Sequence, residues 1–129
     1  MPASFLNPDG LARGTYSHVA VVTGGRTIHV SGQVAFDAQG QVAGATFEAQ
    51  AEQALRNLGI ALAAAGAGFG HIVKLNTYVC DLTPERVKAF REIRARHFGG
   101  HLPASTLVGT TALVHPDLMI EIEAVAVVD

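Results

Sequence analysis

Two acidic residues lie in an otherwise apolar stretch near the end of the chain, Ile120-Glu-Ile-Glu-Ala124. A β-strand places alternate residues on the same face of a sheet, so this spacing predicts that Glu121 and Glu123 share one face. A carboxylate among apolar neighbours can orient a water molecule or transfer a proton, or it can accept structural hydrogen bonds. The residues themselves leave both roles open for Glu121.

The other reactive side chains predict less chemistry. The histidines form no His-Glu-x-x-His motif and no Cys/His spacing typical of zinc, and we expect neither a metal nor a cofactor. His18 and His29 form the one plausible pair, and a titratable contact between subunits is the favoured role for it. The single cysteine, Cys80, excludes an internal disulfide and is predicted to be an inert core residue. Ser105 lacks the motif that surrounds a serine-hydrolase nucleophile.

The composition bounds the class of protein. A chain of 129 residues that is 49% hydrophobic fits a single domain over residues 1–129 with a sizeable core. A net charge of -2 with nine Lys and Arg does not favour binding to nucleic acid or to an anionic membrane. The N-terminus lacks the pattern of a signal peptide, and the longest apolar run, residues 60–67, is too short to cross a bilayer. We therefore expect a cytoplasmic protein.

The acidic stretch is predicted to form one arm of a C-terminal β-hairpin. The sequence Val114-His-Pro-Asp117 is typical of a turn, and a period of two runs through the residues on both sides. In the corresponding register, Thr110 faces Glu121 and Val108 faces Glu123. The opposite face is uniformly apolar and should meet helices.

A second hairpin is predicted near the N-terminus, where Gly24-Gly25 favours a two-residue turn between strands over 16–22 and 27–33. Residues 1–13 show no sustained period and are predicted to form an irregular arm. The hairpin would have an apolar face that meets the helices and a polar face that forms a site or an interface: Val19, Val21, Ile28 and Val30 on the first, and Tyr16, His18, His29, Ser31 and Gln33 on the second.

Two helices are predicted between the hairpins. Thr46 is placed to cap the first helix, whose apolar residues recur at helical spacing until Gly66. Thr83-Pro84 opens the second helix, Gly99-Gly100 ends it, and a strand over 71–81 lies between the two helices. The polar residues of the first helix are predicted to form a solvated face: Gln50, Gln53, Arg56 and Asn57.

The resulting order is ββαβαββ, an α+β sandwich in which two helices cover one face of a mixed or antiparallel sheet. The second face of the sheet has no predicted cover. Because this face combines acidic and apolar residues, oligomerisation is the simplest explanation for it.

Several short motifs, taken together and in order, resemble the RidA-like (YjgF-type) reactive intermediate deaminase family. The resemblance implies a chorismate-mutase-like α+β subunit that assembles as a homotrimer, with small-molecule pockets between subunits. The motifs extend over almost the whole chain: Tyr16 after a turn with Gly14, Val30-Ser31-Gly32-Gln33, residues 53–58, Ala65-Gly66, Ile72-Val73-Lys74, Leu102-Pro-Ala104 and Ile120-Glu-Ile-Glu-Ala124.

The resemblance also implies roles for individual residues. Glu121 matches an acid that positions the attacking water in deaminating relatives, and Tyr16, Ser31 and Gly32 match pocket positions. The residue after Pro-Ala in those relatives is an arginine that binds the carboxylate of a 2-imino acid, but here it is Ser105. A serine cannot replace a bidentate guanidinium, so the chain resembles an arginine-lacking subgroup. Ser105 and Thr106 would donate hydrogen bonds to a neutral or smaller group instead.

These observations support two hypotheses. The first is a trimer that hydrolyses an imine, an enamine or a related labile bond with water held by Glu121. The second is a non-catalytic ligand-binding or regulatory trimer that has kept the pocket. Three arginines could reach the space beside Ser105 from an adjacent subunit: Arg13, Arg26 and Arg96.

Overall fold

The computed structural model describes residues 2–129. Within them, no helix has the length and hydropathy needed to span a membrane. A 3-10 turn, Phe69–His71, precedes the fourth strand. The helices and strands are, in chain order, β1 (Ala3–Leu6), β2 (Val19–Val22), β3 (Arg26–Gln33), α1 (Phe47–Ala64), β4 (Ile72–Cys80), α2 (Pro84–Phe98), β5 (Ala104–Thr110) and β6 (Ile120–Val128).

The main sheet has four strands in the order β3-β6-β4-β5. Strand β6 is antiparallel to both of its neighbours, whereas β4 and β5 are parallel and α2 connects them. A parallel pair needs such a crossover connection. The predicted α+β fold with two helices and a mixed sheet is therefore confirmed.

One core lies between the helices and the sheet, because the inward residues of the strands pack with the apolar residues of both helices. On β6, Ile120, Ile122 and Ala124 are buried, while Glu121 and Glu123 alternate with them and are partly exposed. We call the surface on the other side of the sheet the open face. On β4, β5 and β6 it includes the side chains of Lys74, Asn76, Tyr78, Cys80, Thr106, Val108, Thr110, Glu121, Glu123 and Val125.

The predicted C-terminal hairpin is wrong, because β4 lies between β5 and β6. Glu121 faces Tyr78 and Glu123 faces Asn76, where the hairpin register gave Thr110 and Val108. Turn residues indicate that the chain reverses its direction, but they do not determine which strands pair with each other. The long apolar strand β4 takes the central position between its two neighbours.

The predicted N-terminal hairpin is also wrong. Strand β2 pairs with β1, a segment that was expected to be irregular, and β3 pairs with β6. Gly24 and Gly25 do have positive φ values of 72° and 81°. A Cβ at Gly25 would lie 2.7 Å from the Val128 carbonyl oxygen, so this glycine permits a close approach to β6. The apolar residues of the predicted hairpin therefore do not share one face. Val19 and Val21 are exposed, whereas Ile28 is in the core.

The predicted helix caps are confirmed. Thr46 accepts a hydrogen bond from the Ala49 amide at 3.1 Å, and Thr83 accepts one from the Arg86 amide at 3.2 Å. Each bond pairs a backbone donor that the first turn of the helix leaves free.

The polar face of α1 is not solvated throughout, contrary to the prediction. Gln50 is only 1% exposed and donates to the carbonyls of Gly44 and Asp117 while it accepts from the Met119 amide. Asn57 donates to the carbonyls of Val34 and Phe36. Both amides satisfy backbone groups of neighbouring loops, which helical periodicity cannot reveal.

Candidate functional site

Glu121 lies beside an irregular part of β3. Val30 pairs with Ala124 and Gln33 with Ile122, so β3 has one more residue than β6 over this interval. This extra residue makes a β-bulge at Ser31-Gly32. A Cβ at Gly32 would overlap the Oε2 atom of Glu121 and lie 2.7 Å from its Cδ. The absence of a side chain at Gly32 therefore leaves room for the carboxylate.

The residues around Glu121 on the open face form polar contacts with one another. Asn76 Nδ2 donates to Glu123 at 3.4 Å, and Lys74 Nζ donates to the Thr106 hydroxyl at 2.8 Å. A hydrogen bond to the Glu123 carboxylate raises the pKa of the Tyr78 hydroxyl, with smaller contributions from burial and from the charges of both glutamates. This face thus holds acids, a hydroxyl and a cation close to solvent.

Tyr16 and Ser105 lie elsewhere, at the outer edge of β5. The Ser17 amide donates to the Pro103 carbonyl at 3.0 Å, and its hydroxyl donates to the Leu102 carbonyl at 2.6 Å. These bonds hold the segment with Tyr16 alongside the start of β5. A cavity of about 340 Å³ opens there, which we call the edge pocket. Its polar lining comprises Thr15, Tyr16, Arg91, Arg94 and Ser105, and its apolar lining comprises Leu82, Val87, Phe90 and Leu107.

Arg94 also lines the edge pocket, and it was not among the predicted site residues. It is only 7% exposed, and its guanidinium donates to the Thr15 carbonyl and lies 3.5 Å from the Ser105 hydroxyl. It also lies over the rings of Phe90 and Phe98, at 5.9 Å and 6.0 Å from their centroids. Burial and the nearby charge of Arg91 lower the pKa of Arg94.

A sequence signal for Arg94 existed. Phe90, Arg94 and Phe98 are spaced by four residues, so they share the buried face of a helix. Two of the arginines that were considered instead make contacts of their own, because Arg26 donates to the Ala65 carbonyl and Arg96 pairs with Glu52 at 3.6 Å.

The predicted site residues divide into two groups that lie on opposite faces of the sheet. Ser31, Gly32 and Glu121 belong to the β3 and β6 side, and Thr106 lies with Glu121 on the open face. Ser105 aligns with the buried Leu75 and so points to the helix side. Because β4 separates β5 from β6, the two strands are roughly 10 Å apart. One protomer therefore does not bring Glu121 and Ser105 together.

A larger cavity, of about 840 Å³, contains none of the predicted site residues. It lies between residues 42–45 and 111–119 and is an open groove that Cys80 also lines. The prediction that Cys80 belongs to the core is wrong, since its side chain is partly exposed on the open face. The edge pocket is smaller, but its lining contains two of the predicted site residues, Tyr16 and Ser105.

The histidine pair of the sequence analysis has no structural basis, because the hairpin register that paired His18 with His29 does not form. His18 Nε2 instead lies 2.5 Å from the Ala12 carbonyl oxygen, and its ring packs edge-on against Tyr16. Across residues 2–129, no three His, Cys, Asp or Glu side chains are grouped to hold a metal ion.

Comparisons with known proteins match nearly the whole chain. The family model described as endoribonuclease L-PSP matches residues 8–128. A 2-iminobutanoate/2-iminopropanoate deaminase of Rattus norvegicus is 39% identical over 117 residues, which cover 90% of this chain and 82% of the relative.

Two solved structures show the same fold. A protein of unknown function of the conserved Rid protein family from Yersinia pestis superimposes with a TM-score of 0.93 at 36% identity, covering 99% of this chain and 100% of the other. RidA from an Antarctic Psychrobacter bacterium superimposes with a TM-score of 0.74 at 31% identity, with 92% of each chain covered.

Proposed function

Because the chain belongs to the endoribonuclease L-PSP family, which is the YjgF/RidA family, we propose that it is a deaminase that hydrolyses the imine or enamine form of a small metabolite. We further propose that it works in the cytoplasm as a homotrimer with its active sites between subunits. The single observation that carries the proposal is the separation of Glu121 from the edge pocket within one protomer. A ligand in the edge pocket can meet a Glu121 carboxylate only if another copy supplies it.

The open face supports assembly. No helix in the described part of the chain covers it, and it exposes Val108 beside the polar residues of β4 and β6. An apolar group next to half-buried acids is typical of a surface that another subunit covers. In such an assembly the open face of one copy would lie near the edge of β5 in the next.

The proposed reaction needs no cofactor, because a protonated imine is already electrophilic. Glu121 holds a water molecule and accepts its proton while the water oxygen bonds to the imine carbon. The electrons of the C=N π bond move to nitrogen, and a carbinolamine forms. Glu121 then returns its proton to the carbinolamine nitrogen, the C–N bond breaks, and ammonia leaves as the hydroxyl group gives its proton to Glu121 and the C=O bond forms. An enamine enters the same sequence after protonation at carbon. The role of Gly32 is to leave space for the carboxylate that performs these proton transfers.

Ammonia release tests the proposal. The protein is mixed with 2-iminobutyrate that an amino-acid oxidase generates in the same vessel, and the rate is compared with that in buffer alone. We expect faster release of ammonia with the wild-type protein and a rate close to that of buffer with Glu121→Gln. No acceleration for any imine, charged or neutral, would overturn the enzymatic proposal and leave the ligand-binding hypothesis.

We do not propose ribonuclease activity, although the family is described as endoribonuclease L-PSP. Nine Lys and Arg residues and a net charge of -2 provide little attraction for an RNA backbone. Cleavage of RNA by protein that has been freed of contaminating nucleases would contradict this view.

A further inference from the structure

Arg94 is a buried cation for which residues 2–129 provide no partner of opposite charge. In residues 2–129, the ion pairs all involve Glu52, which pairs with Arg96 and His97. The lining of the edge pocket contains no carboxylate, and it contains a second cation, Arg91. Two guanidinium groups at a partly desolvated cavity create a positive potential, and an anion that enters the cavity is attracted to it.

The guanidinium of Arg94 keeps hydrogen-bonding capacity for a ligand. An arginine has five N–H donors, and the contacts with Thr15 and Ser105 use two of them. The hydrogen bond to Thr15 and the cation–π contacts with Phe90 and Phe98 restrict the position of the group, so the remaining donors have a defined direction. Ser105 is small, and its hydroxyl lies 3.5 Å from Arg94 Nη1 in the lining of the same cavity.

We infer that Arg94 of α2 binds the carboxylate of the substrate in the edge pocket and so replaces the arginine that the family resemblance places at position 105. This inference rests on the proposed function, and it specifies the substrate class. The substrate is then a 2-imino or 2-enamino acid and not a neutral imine, contrary to what Ser105 alone predicts. A guanidinium and a carboxylate form a pair of parallel N–H···O bonds, which orients the ligand as well as binding it.

The apolar lining of the edge pocket restricts the rest of the substrate. Leu82, Val87, Phe90 and Leu107 surround the cavity of about 340 Å³. A volume at the lower end of the range for ligand sites suits a small molecule. A short aliphatic side chain fits these walls, whereas a second charged group would lose its hydration without a partner. Imino acids derived from small aliphatic amino acids are the expected class.

A structural role for Arg94 makes a different prediction. If the guanidinium only anchors the segment of Thr15 to α2, its loss would weaken folding and would affect all ligands alike. If it binds a carboxylate, its loss would affect anionic ligands far more than neutral ones. The comparison of an anion with its neutral analogue therefore separates the two roles.

Ligand binding without turnover gives the test. The probe is 2-oxobutyrate, which keeps the carboxylate and has a carbonyl oxygen in place of the imine nitrogen, and its amide is the neutral analogue. Calorimetry on the wild-type protein should show that the acid binds at least about tenfold more tightly than the amide. In Arg94→Gln the affinity for the acid should fall by roughly 10- to 100-fold while that for the amide changes little.

Two further variants sharpen the experiment. The matched control is Arg96→Gln, on the same helix but at an exposed position, with a side chain 66% accessible, and its affinity for the acid should stay within about twofold of the wild-type value. The double variant Arg94→Gln with Ser105→Arg moves the cation to the usual family position and should recover most of the affinity for the acid.

Several outcomes would overturn the inference. They are equal affinity of the wild-type protein for the acid and the amide, an unchanged affinity for the acid in Arg94→Gln, and a failure of Ser105→Arg to restore binding. The first comparison uses only the wild-type protein, so it holds even if a variant does not fold. Selective binding of the acid without any release of ammonia would reject the proposed reaction and keep the carboxylate site.

Discussion

The carboxylate of Glu121 occupies the space that a side chain at Gly32 would fill, and a Cβ built there would lie 2.7 Å from the Glu121 Cδ. The two residues belong to neighbouring strands, and the β-bulge of β3 brings them together. The position of the carboxylate thus depends on the absence of one methyl group. We therefore expect Gly32→Ala to displace Glu121 and to lower the rate of imine hydrolysis by roughly 10- to 100-fold, as misplaced catalytic groups do.

Steady-state ammonia release measures this effect, and Gly100→Ala provides the control. A Cβ at Gly100 meets no atom within 4 Å, so this variant should keep its activity. If Gly32→Ala were as active as the wild-type protein, the contact would have no part in positioning Glu121.

A second prediction concerns the charge of Glu121. The change Glu121→Gln keeps the size of the side chain but removes its basicity, so kcat for 2-iminobutyrate should fall by roughly 10²- to 10⁴-fold. The affinity for 2-oxobutyrate should stay nearly the same, since the carboxylate of the ligand binds elsewhere. The same substitution at Glu123, two residues further along the same face, should reduce kcat much less. If both substitutions lowered kcat equally, Glu121 would not be the specific catalytic base, and the negative charge of the open face as a whole would be responsible.

Assembly should depend on the open face. Val108 is 42% exposed there, and if the proposed trimer forms through this face, Val108→Asp would place a charge in the interface at a cost of several kcal/mol. Sedimentation should then show a mass that falls from trimer to monomer. Val114→Asp is the control, because Val114 is 80% exposed in the loop between β5 and β6. A trimer that survives Val108→Asp would show that this part of the face lies outside the interface.

Gln50 should contribute strongly to stability. Its side chain bonds to Gly44, Asp117 and Met119, so Gln50→Met would leave buried backbone groups without partners. We expect a loss of about 2 to 3 kcal/mol in the free energy of unfolding. Urea denaturation at a fixed protein concentration measures it, and Gln39→Met, at an exposed position, should change the midpoint very little.

The raised pKa of Tyr78 gives a prediction about pH. The folded state favours the neutral phenol, so this contribution to stability is complete below the unfolded pKa of 10.0 and is lost as the pH rises through the higher folded value. Because the chain has two tyrosines and no tryptophan, the phenolate absorbance of Tyr16→Phe reports Tyr78 alone. Glu123→Gln should move this titration to lower pH. An unchanged titration would show that Glu123 is not the main cause.

The sequence predicted local structure better than it predicted pairing. Thr46 and Thr83 cap their helices as expected, because a cap depends on residues within one turn. The alternation of residue types along β6 correctly predicted that Glu121 and Glu123 lie on the face opposite the core. Both hairpins were wrong, because the partner of a strand depends on contacts between distant segments, and the Gly24-Gly25 turn looks the same in either arrangement.

The site was predictable only in part. Family resemblance was the source of the roles given to Glu121 and Gly32, and the structure adds that the two residues touch. Arg94 escaped notice because a charged residue in an amphipathic helix is usually solvated, and only its spacing from Phe90 and Phe98 indicated burial. Its proximity to Ser105 arises from the crossover between β4 and β5, which no local pattern encodes.

The order β3-β6-β4-β5 has a consequence for how the protein forms in the cell. Within residues 2–129, β3 pairs in the main sheet only with β6, which is synthesised after the other three strands of that sheet. Before β6 is made, β4 and β5 are the strands of the main sheet that can pair, through the crossover of α2, and the edge of β4 that receives β6 stays unpaired. The sheet can therefore be completed only after β6 has been synthesised, and until then the nascent chain presents an unpaired strand edge that is prone to aggregation.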